Sequence, residues 1–288
     1  SHFGSSQRRK ILTPTVVQPK QGPMPLNIEE LGGDEVEETS FKFHFLPDAK
    51  FQCFDNPAFQ SLFEKWGLLP DMATVAFRVE QQVTEDTMQR MLESFFRDRE
   101  VLSVLHSATR LRVLSPDKVH VRWQKMETKE SSLSLLKKFE DCGALTASGH
   151  ISGRFEEDWE GVPIVNLIRE AVLMEDSELY DTFSEKDRRE FLFRVFSHVV
   201  FGGAMNQYED DVEDYVKATK AIYKDLLTVK QVETGDVQVV SQVASIQSLG
   251  QGGGLYHRES PLNFCYVIYD PMMRHVRVWY FSYRPLLM

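Results

Sequence analysis

The stretch SEKDRREFLFRVFSHVVFGG, Ser184 to Gly203, decides the fold. Ser184 followed three residues later by Asp187 is a capping-box pattern, with a shorter acid than usual, and predicts a helix opening there. Along it, Phe191, Leu192, Phe193, Val195, Phe196, Val199 and Val200 cover more than one face. A helix apolar on several sides belongs at the centre of a domain. Gly202-Gly203 should end it. His198, on so apolar a helix, reads as a hydrogen-bonded core imidazole rather than a metal ligand.

A second helix is predicted downstream. Val212, Tyr215, Val216, Thr219, Ile222, Tyr223 and Leu226 recur at steps of three and four. Its opening turn carries Glu209, Asp210, Asp211, Glu213 and Asp214, and Lys217, Lys220 and Lys224 come later. Acid first and base last suits the helix dipole.

The closing third reads as β. Val237–Ile246 alternates, Gly250–Gly254 is a flexible break, and Phe264–Tyr269 and His275–Phe281 form the arms of a hairpin around an Asp270-Pro271 turn. Both arms are aromatic and β-branched, as a packed sheet requires. Towards the amino terminus, Phe41, Phe43 and Phe45 alternate with polar residues as a half-buried strand. Pro57 opens a short helix that runs to Trp66 and stops at Gly67. Thr74–Val79 is a second strand. Thr84 caps a helix through Arg97 with Met88, Met91, Leu92, Phe95 and Phe96 on one face. Three β-rich stretches follow at Val101–Leu105, Arg110–Leu114 and Val119–Trp123. Leu133–Phe139 fits helix or strand, and Cys142–Pro163 reads as a Gly-rich, acidic connection. The expected fold is therefore α+β: a mostly antiparallel sheet packed with two central helices, in one domain over residues 41–288.

Residues 1–40 show neither helical nor strand period. Four prolines (Pro14, Pro19, Pro23, Pro25) and a switch from basic to acidic charge describe a disordered leader.

Composition narrows the function classes. In 288 residues, 43 Asp plus Glu exceed 33 Lys plus Arg for a net charge of -10, which argues against tracking nucleic acid or docking on anionic lipid. No apolar run reaches the length of a membrane span, and the amino terminus has no apolar signal core. Cys53, Cys142 and Cys265 are odd in number and never in a CxxC pair, so a disulfide scaffold or four-cysteine zinc site is not expected. The residues alone describe a soluble, intracellular protein.

No constellation carries chemistry. Gln251-Gly252-Gly253-Gly254 lacks a following Lys-Ser or Lys-Thr and leads into Leu255-Tyr256-His257 rather than a helix, so a phosphate loop fails on context. The histidines lack metal spacing; His150 and His275 are the better candidates for a polar site, without an identifiable nucleophile. The carboxylates at 156–160 and 209–214 lack the alternate spacing of a calcium loop. No catalytic, cofactor or metal residue is assigned. A docking surface for a basic partner is the functional alternative for Tyr208, Glu209, Asp210, Asp211 and Asp214, with Trp279 and Tyr283 of the hairpin as apolar anchors.

From Glu175 onward the sequence resembles the cilia- and flagella-associated protein 300 family. The resemblance runs through Glu175-Asp176-Ser177-Glu178, Phe183-Ser184, Glu190-Phe191-Leu192-Phe193, Gly202-Gly203-Ala204, Gln207-Tyr208-Glu209-Asp210 and Ile222-Tyr223-Lys224-Asp225-Leu226. It continues in Asp270-Pro271, Arg274-His275 and Tyr280, and upstream in Phe45-Leu46-Pro47 and Ser148-Gly149-His150-Ile151. It implies a non-catalytic, cytoplasmic and ciliary protein needed to assemble outer and inner dynein arms. Implied partners are dynein preassembly factors, including PIH-domain adaptors of the kintoun type, and axonemal dynein subunits. Two other readings stand beside it: a small-molecule or nucleotide-binding enzyme using His150 or Gly250–Gly254, and a stable axonemal structural subunit.

Overall fold

The computed structural model describes residues 40–285 apart from 112, 131–132, 232–234 and 236. The expected leader lies outside the described residues. The chain opens with β1 (Phe43–Phe45), α1 (Pro57–Lys65) and β2 (Met72–Val79). Next come α2 (Met88–Phe95), α3 (Arg99–Thr109), β3 (Val119–Met126) and α4 (Leu135–Asp141). The middle holds β4 (Gly153–Trp159), β5 (Val162–Asn166), α5 (Leu167–Leu173), α6 (Glu185–Arg189), α7 (Phe191–Phe201) and α8 (Glu213–Leu226). It closes with β6 (Val229–Gln231), β7 (Val237–Val239), β8 (Gln242–Gly250), β9 (Phe264–Asp270) and β10 (His275–Phe281).

The architecture is α+β. One antiparallel sheet of six strands, in the order β1-β2-β10-β9-β8-β3, forms the frame. Side chains alternate across it and feed two cores. Phe264, Tyr266, Trp279 and Phe281 join the helices α1, α7 and α8 on one face. Cys265, Val267, Val278 and Tyr280 join α2 and α3 on the other. The β9–β10 hairpin is buried throughout β9 and nearly so in β10, because it lies mid-sheet with helices on both faces.

α7 is as central as its pattern predicts, with nine of its 11 residues buried. Phe191 sits edge-on to Tyr266 at 5.1 Å, and Phe196 meets Phe139 at 5.6 Å. Its end is fixed by Gly202 and Gly203, which press on the end of α1. A Cβ on Gly203 would stand 2.0 Å from the Gly67 carbonyl oxygen, and one on Gly202 would stand 2.2 Å from that of Trp66. Only glycine permits this approach.

Several expectations are corrected. Ser184 and Asp187 do form a capping box, but it opens only α6. Glu190 is extended and breaks the helix, because the chain there bridges to Glu127: Phe191 N–H donates to the Glu127 carbonyl at 2.8 Å. Val101–Leu105 is part of α3, not a strand. Asp98 Oδ1 accepts from Val101 N–H at 3.0 Å, and Val101, Leu105 and Thr109 are buried at helical spacing. The described residues of Arg110–Leu114 form no strand either. Thr84 does not cap α2, whose helix starts only at Met88; the Thr84 N–H donates to Thr87 Oγ1 in a preceding turn. Leu133–Phe139 resolves as the helix α4. The supposed connection from Cys142 to Pro163 contains the β4–β5 hairpin, whose turn places Glu160 and Gly161 at positive φ. Val237–Ile246 is two strands parted where Ser241 Oγ accepts from Thr228 N–H.

His198 is a core imidazole as read, with Nε2 2.8 Å from the Tyr266 hydroxyl and its ring 4.1 Å from that of Phe264. Cys53 and Cys265 are buried, and desolvation pushes the Cys53 thiol up to about 12.

Two predictions follow from this core. Gly203→Ala should lower stability by at least about 3 kcal/mol, the upper range of overpacking, because the nearest obstacle is the Gly67 backbone and not a side chain that can swing aside. Gly153→Ala, which would meet nothing within 4 Å, should leave the denaturant midpoint nearly unchanged. The second concerns acid. Burial and the nearby Arg194 hold the His198 imidazole well below its ordinary 6.5. The unfolded chain therefore takes up a proton that the folded chain refuses, so this stability is intact above 6.5 and lost as pH falls below it. The thermal midpoint should decline between about pH 7 and pH 5, and His198→Gln should make that decline shallower.

Candidate functional site

The acidic turn Tyr208–Asp214 runs from the loop after α7 into the first turn of α8, and its residues divide sharply by environment. Glu209 is structural. Its Oε2 accepts from Lys65 Nζ at 2.7 Å and its Oε1 from Trp66 Nε1 at 2.8 Å, while its N–H donates to the Tyr215 hydroxyl at 3.1 Å. The Trp66 and Tyr215 rings meet at 4.8 Å beneath it. This carboxylate holds the turn onto α1 and is no free charge for a partner.

Tyr208 covers a second anchor. Its ring lies 4.7 Å from the guanidinium of Arg169, which is buried and donates to the carbonyls of Pro163, Val200 and Phe201. Arg169 thus caps the carboxyl end of α7, with rings rather than a carboxylate around its charge. Burial pushes the Tyr208 phenol up, and Glu156 and Tyr283 lie within electrostatic reach of it.

Asp210 and Asp211 are the exposed pair. Their backbone pairs with the segment after α4: Ile151 N–H donates to the Asp210 carbonyl at 2.8 Å and Val212 N–H to the Gly149 carbonyl at 2.9 Å. His150 follows Asp211 at the surface, Nδ1 to Oδ1 at 3.7 Å. Asp214 is half-buried and shares Lys217 with Glu213, at 3.5 Å and 2.8 Å. α8 begins at Glu213, so the three carboxylates before it form a tethered turn and not the helix start that was expected.

The two hairpin anchors separate. Tyr283 is half-buried, and its N–H donates to Asn263 Oδ1. Trp279 is 0% exposed, 4.3 Å from the Phe264 ring, and offers nothing to a partner. A β10 position in mid-sheet faces the α7 core, which the alternation of the hairpin could not reveal by itself. Phe155 on β4, 96% exposed, was missed. It projects from a strand flanked by Glu156, Glu157 and Asp158, all exposed. Met205, 58% exposed after the end of α7, is a further apolar surface residue.

The segments assigned to an alternative chemistry do structural work. Gly252 is not part of a loose loop: its carbonyl accepts from Leu114 N–H and Ser115 N–H at 2.8 and 3.0 Å, and its N–H donates to Leu249. Gly149 and His150 belong to the pairing just described. Burial holds the His275 imidazole below its usual range. Among the described residues no cluster of three or more His, Cys, Asp or Glu side chains is disposed to hold a metal ion.

A family profile for cilia- and flagella-associated protein 300 matches residues 40–281. The chain belongs to that family. It is 34% identical over 235 residues to cilia- and flagella-associated protein 300 of Chlamydomonas reinhardtii, a match spanning 78% of this chain and 91% of that protein. Its identity to the Paramecium tetraurelia protein of the same description is 29% over 226 residues, spanning 78% and 87%. No solved structure matches. The chain is thus a cilia- and flagella-associated protein, and the profile covers the sheet, both cores and the acidic turn. Among the described residues no helix is long and apolar enough to cross a membrane.

The turn generates a contrast between neighbours. Glu209→Ala strands Trp66 Nε1 without its acceptor and should lower stability by about 1–3 kcal/mol. Asp210→Asn with Asp211→Asn, both at the surface, should leave the urea midpoint within about 0.5 kcal/mol of the parent.

Proposed function

We propose that this chain is a non-catalytic factor for assembling outer and inner dynein arms, acting as an adaptor in cytoplasmic preassembly or transport. Membership of a cilia- and flagella-associated family supports the setting. The observation that carries the adaptor role is the surface where exposed carboxylates stand with exposed or half-buried rings. Asp210 and Asp211 lie on the tethered turn that also carries Tyr208. Glu156 and Tyr283 lie within electrostatic reach of Tyr208, and exposed Phe155 precedes Glu156 on β4. Such a patch steers a basic partner through its charge and holds it through its aromatic residues. The proposed partners are PIH-domain adaptors of the kintoun type, with axonemal dynein subunits as cargo.

The test changes charge and ring separately. With Asp210, Asp211 and Asp214 all replaced by Asn, the melting midpoint should hold. Association with a purified PIH-domain adaptor should slow several-fold at low salt and depend less on salt. Phe155→Ser should instead speed dissociation. Kinetics identical to the parent for both variants would reject this surface. Failure of the parent chain to capture the adaptor would reject that partner.

A further inference from the structure

A second surface is lined by lysines. Lys217, Lys220 and Lys224 are spaced three and four residues apart on α8, which brings their exposed side chains to one face. That face forms one wall of an open cleft of about 390 Å³. Across it stands the amino-terminal end of α1, with Asn56 and Phe59 lining the cleft. Asn56 Oδ1 accepts from Ala58 N–H, and no acidic residue sits in the first turn of α1. The positive end of that helix dipole therefore faces the lysines without a carboxylate of its own helix to offset it.

The neighbouring carboxylates, Asp225 in the cleft wall and Asp55 beside it, are engaged by backbone donors. Asp225 Oδ2 accepts from Cys53 N–H at 2.5 Å, and Asp55 Oδ2 from Phe51 N–H at 3.1 Å. Lys217 is engaged by Glu213 and Asp214, but among the described residues Lys220 and Lys224 make no ion pair. Lys220 and Lys224 thus put two unpaired ammonium groups on one face of a chain with net charge -10. Between the charged walls, half-buried Phe59 and Ala221 supply an apolar strip.

We propose that the α1–α8 cleft is a docking site for an acidic peptide segment of a partner protein, its carboxylates on Lys220 and Lys224 and one apolar side chain against Phe59 and Ala221. This site meets the acidic turn only at Lys217, which Glu213 and Asp214 engage, and does not rest on the adaptor reading. A membrane or nucleic acid would need a broad basic surface, whereas two lysines beside an apolar strip suit a short segment.

The probe is a fluorescent synthetic peptide with glutamates flanking a central phenylalanine, titrated by anisotropy against the full chain at low salt. The parent should bind it, and a glutamine-for-glutamate version should bind at least about fivefold more weakly. Lys220→Gln with Lys224→Gln should weaken binding roughly five- to tenfold and reduce its salt dependence. Ala221→Glu should abolish it, and both variants should melt with the parent. Replacing the peptide phenylalanine by alanine should also weaken binding. No binding by the folded parent, or equal binding by the Lys220/Lys224 double variant, would overturn the proposal. Equal binding of the alanine peptide would also overturn it, leaving only non-specific attraction of charge. Because the acidic-turn residues are untouched, these outcomes are read independently of adaptor capture.

Discussion

Everything on the functional side of the molecule hangs on how the carboxyl end of α7 meets the carboxyl end of α1. Two helix ends, both presenting carbonyl groups, are brought backbone to backbone at Gly202-Gly203 and Trp66-Gly67. Gly203 N–H donates to the Trp66 carbonyl at 2.8 Å across the junction. Like-oriented dipole ends repel, and the chain offsets this with the buried guanidinium of Arg169 on the Val200 and Phe201 carbonyls. Asn206 adds its amide to the same two carbonyls. The turn that follows is then clamped by Glu209 between Lys65 and Trp66. The exposed aspartates are held on a frame whose rigidity comes from these neighbours.

The sequence disclosed those parts of the fold that local periodicity specifies. The β9–β10 hairpin was readable because aromatic and β-branched residues run to a defined Asp-Pro turn. α7 and α8 were readable because their apolar residues have helical spacing. α3 was not, because Val101, Leu102, Val104 and Leu105 suit a buried strand as well as a helix, and the deciding bond is a cap from Asp98. β4 was hidden for the opposite reason. A strand exposed along most of its length has no apolar alternation, and Glu160-Gly161 is a weak turn signal beside Asn-Gly.

The site was legible as composition and illegible as geometry. Five carboxylates in seven residues announce an acidic surface, yet the one that serves the fold is chosen by Trp66, 143 positions away. Trp279 suffers the same ambiguity, since a ring on a strand can face either a partner or its own core. Likewise, Lys217, Lys220 and Lys224 read as dipole matching until Asn56 and Phe59 are seen opposite them. Local sequence lists the charged groups, and tertiary pairing decides which remain free.

The order of strands carries one more consequence. β9 and β10 come last among the strands of the sheet but lie in its middle, with β2 on one side and β8 on the other. During synthesis, β1 and β2 are made some two hundred residues before the strand that joins them to the rest of the sheet. Their open hydrogen-bonding edge must wait, exposed to wrong pairings, until β10 leaves the ribosome. A ribosome that stops before β9 therefore yields two half-sheets with no common centre. In this molecule the hairpin made last among the strands is the one the sheet can least spare.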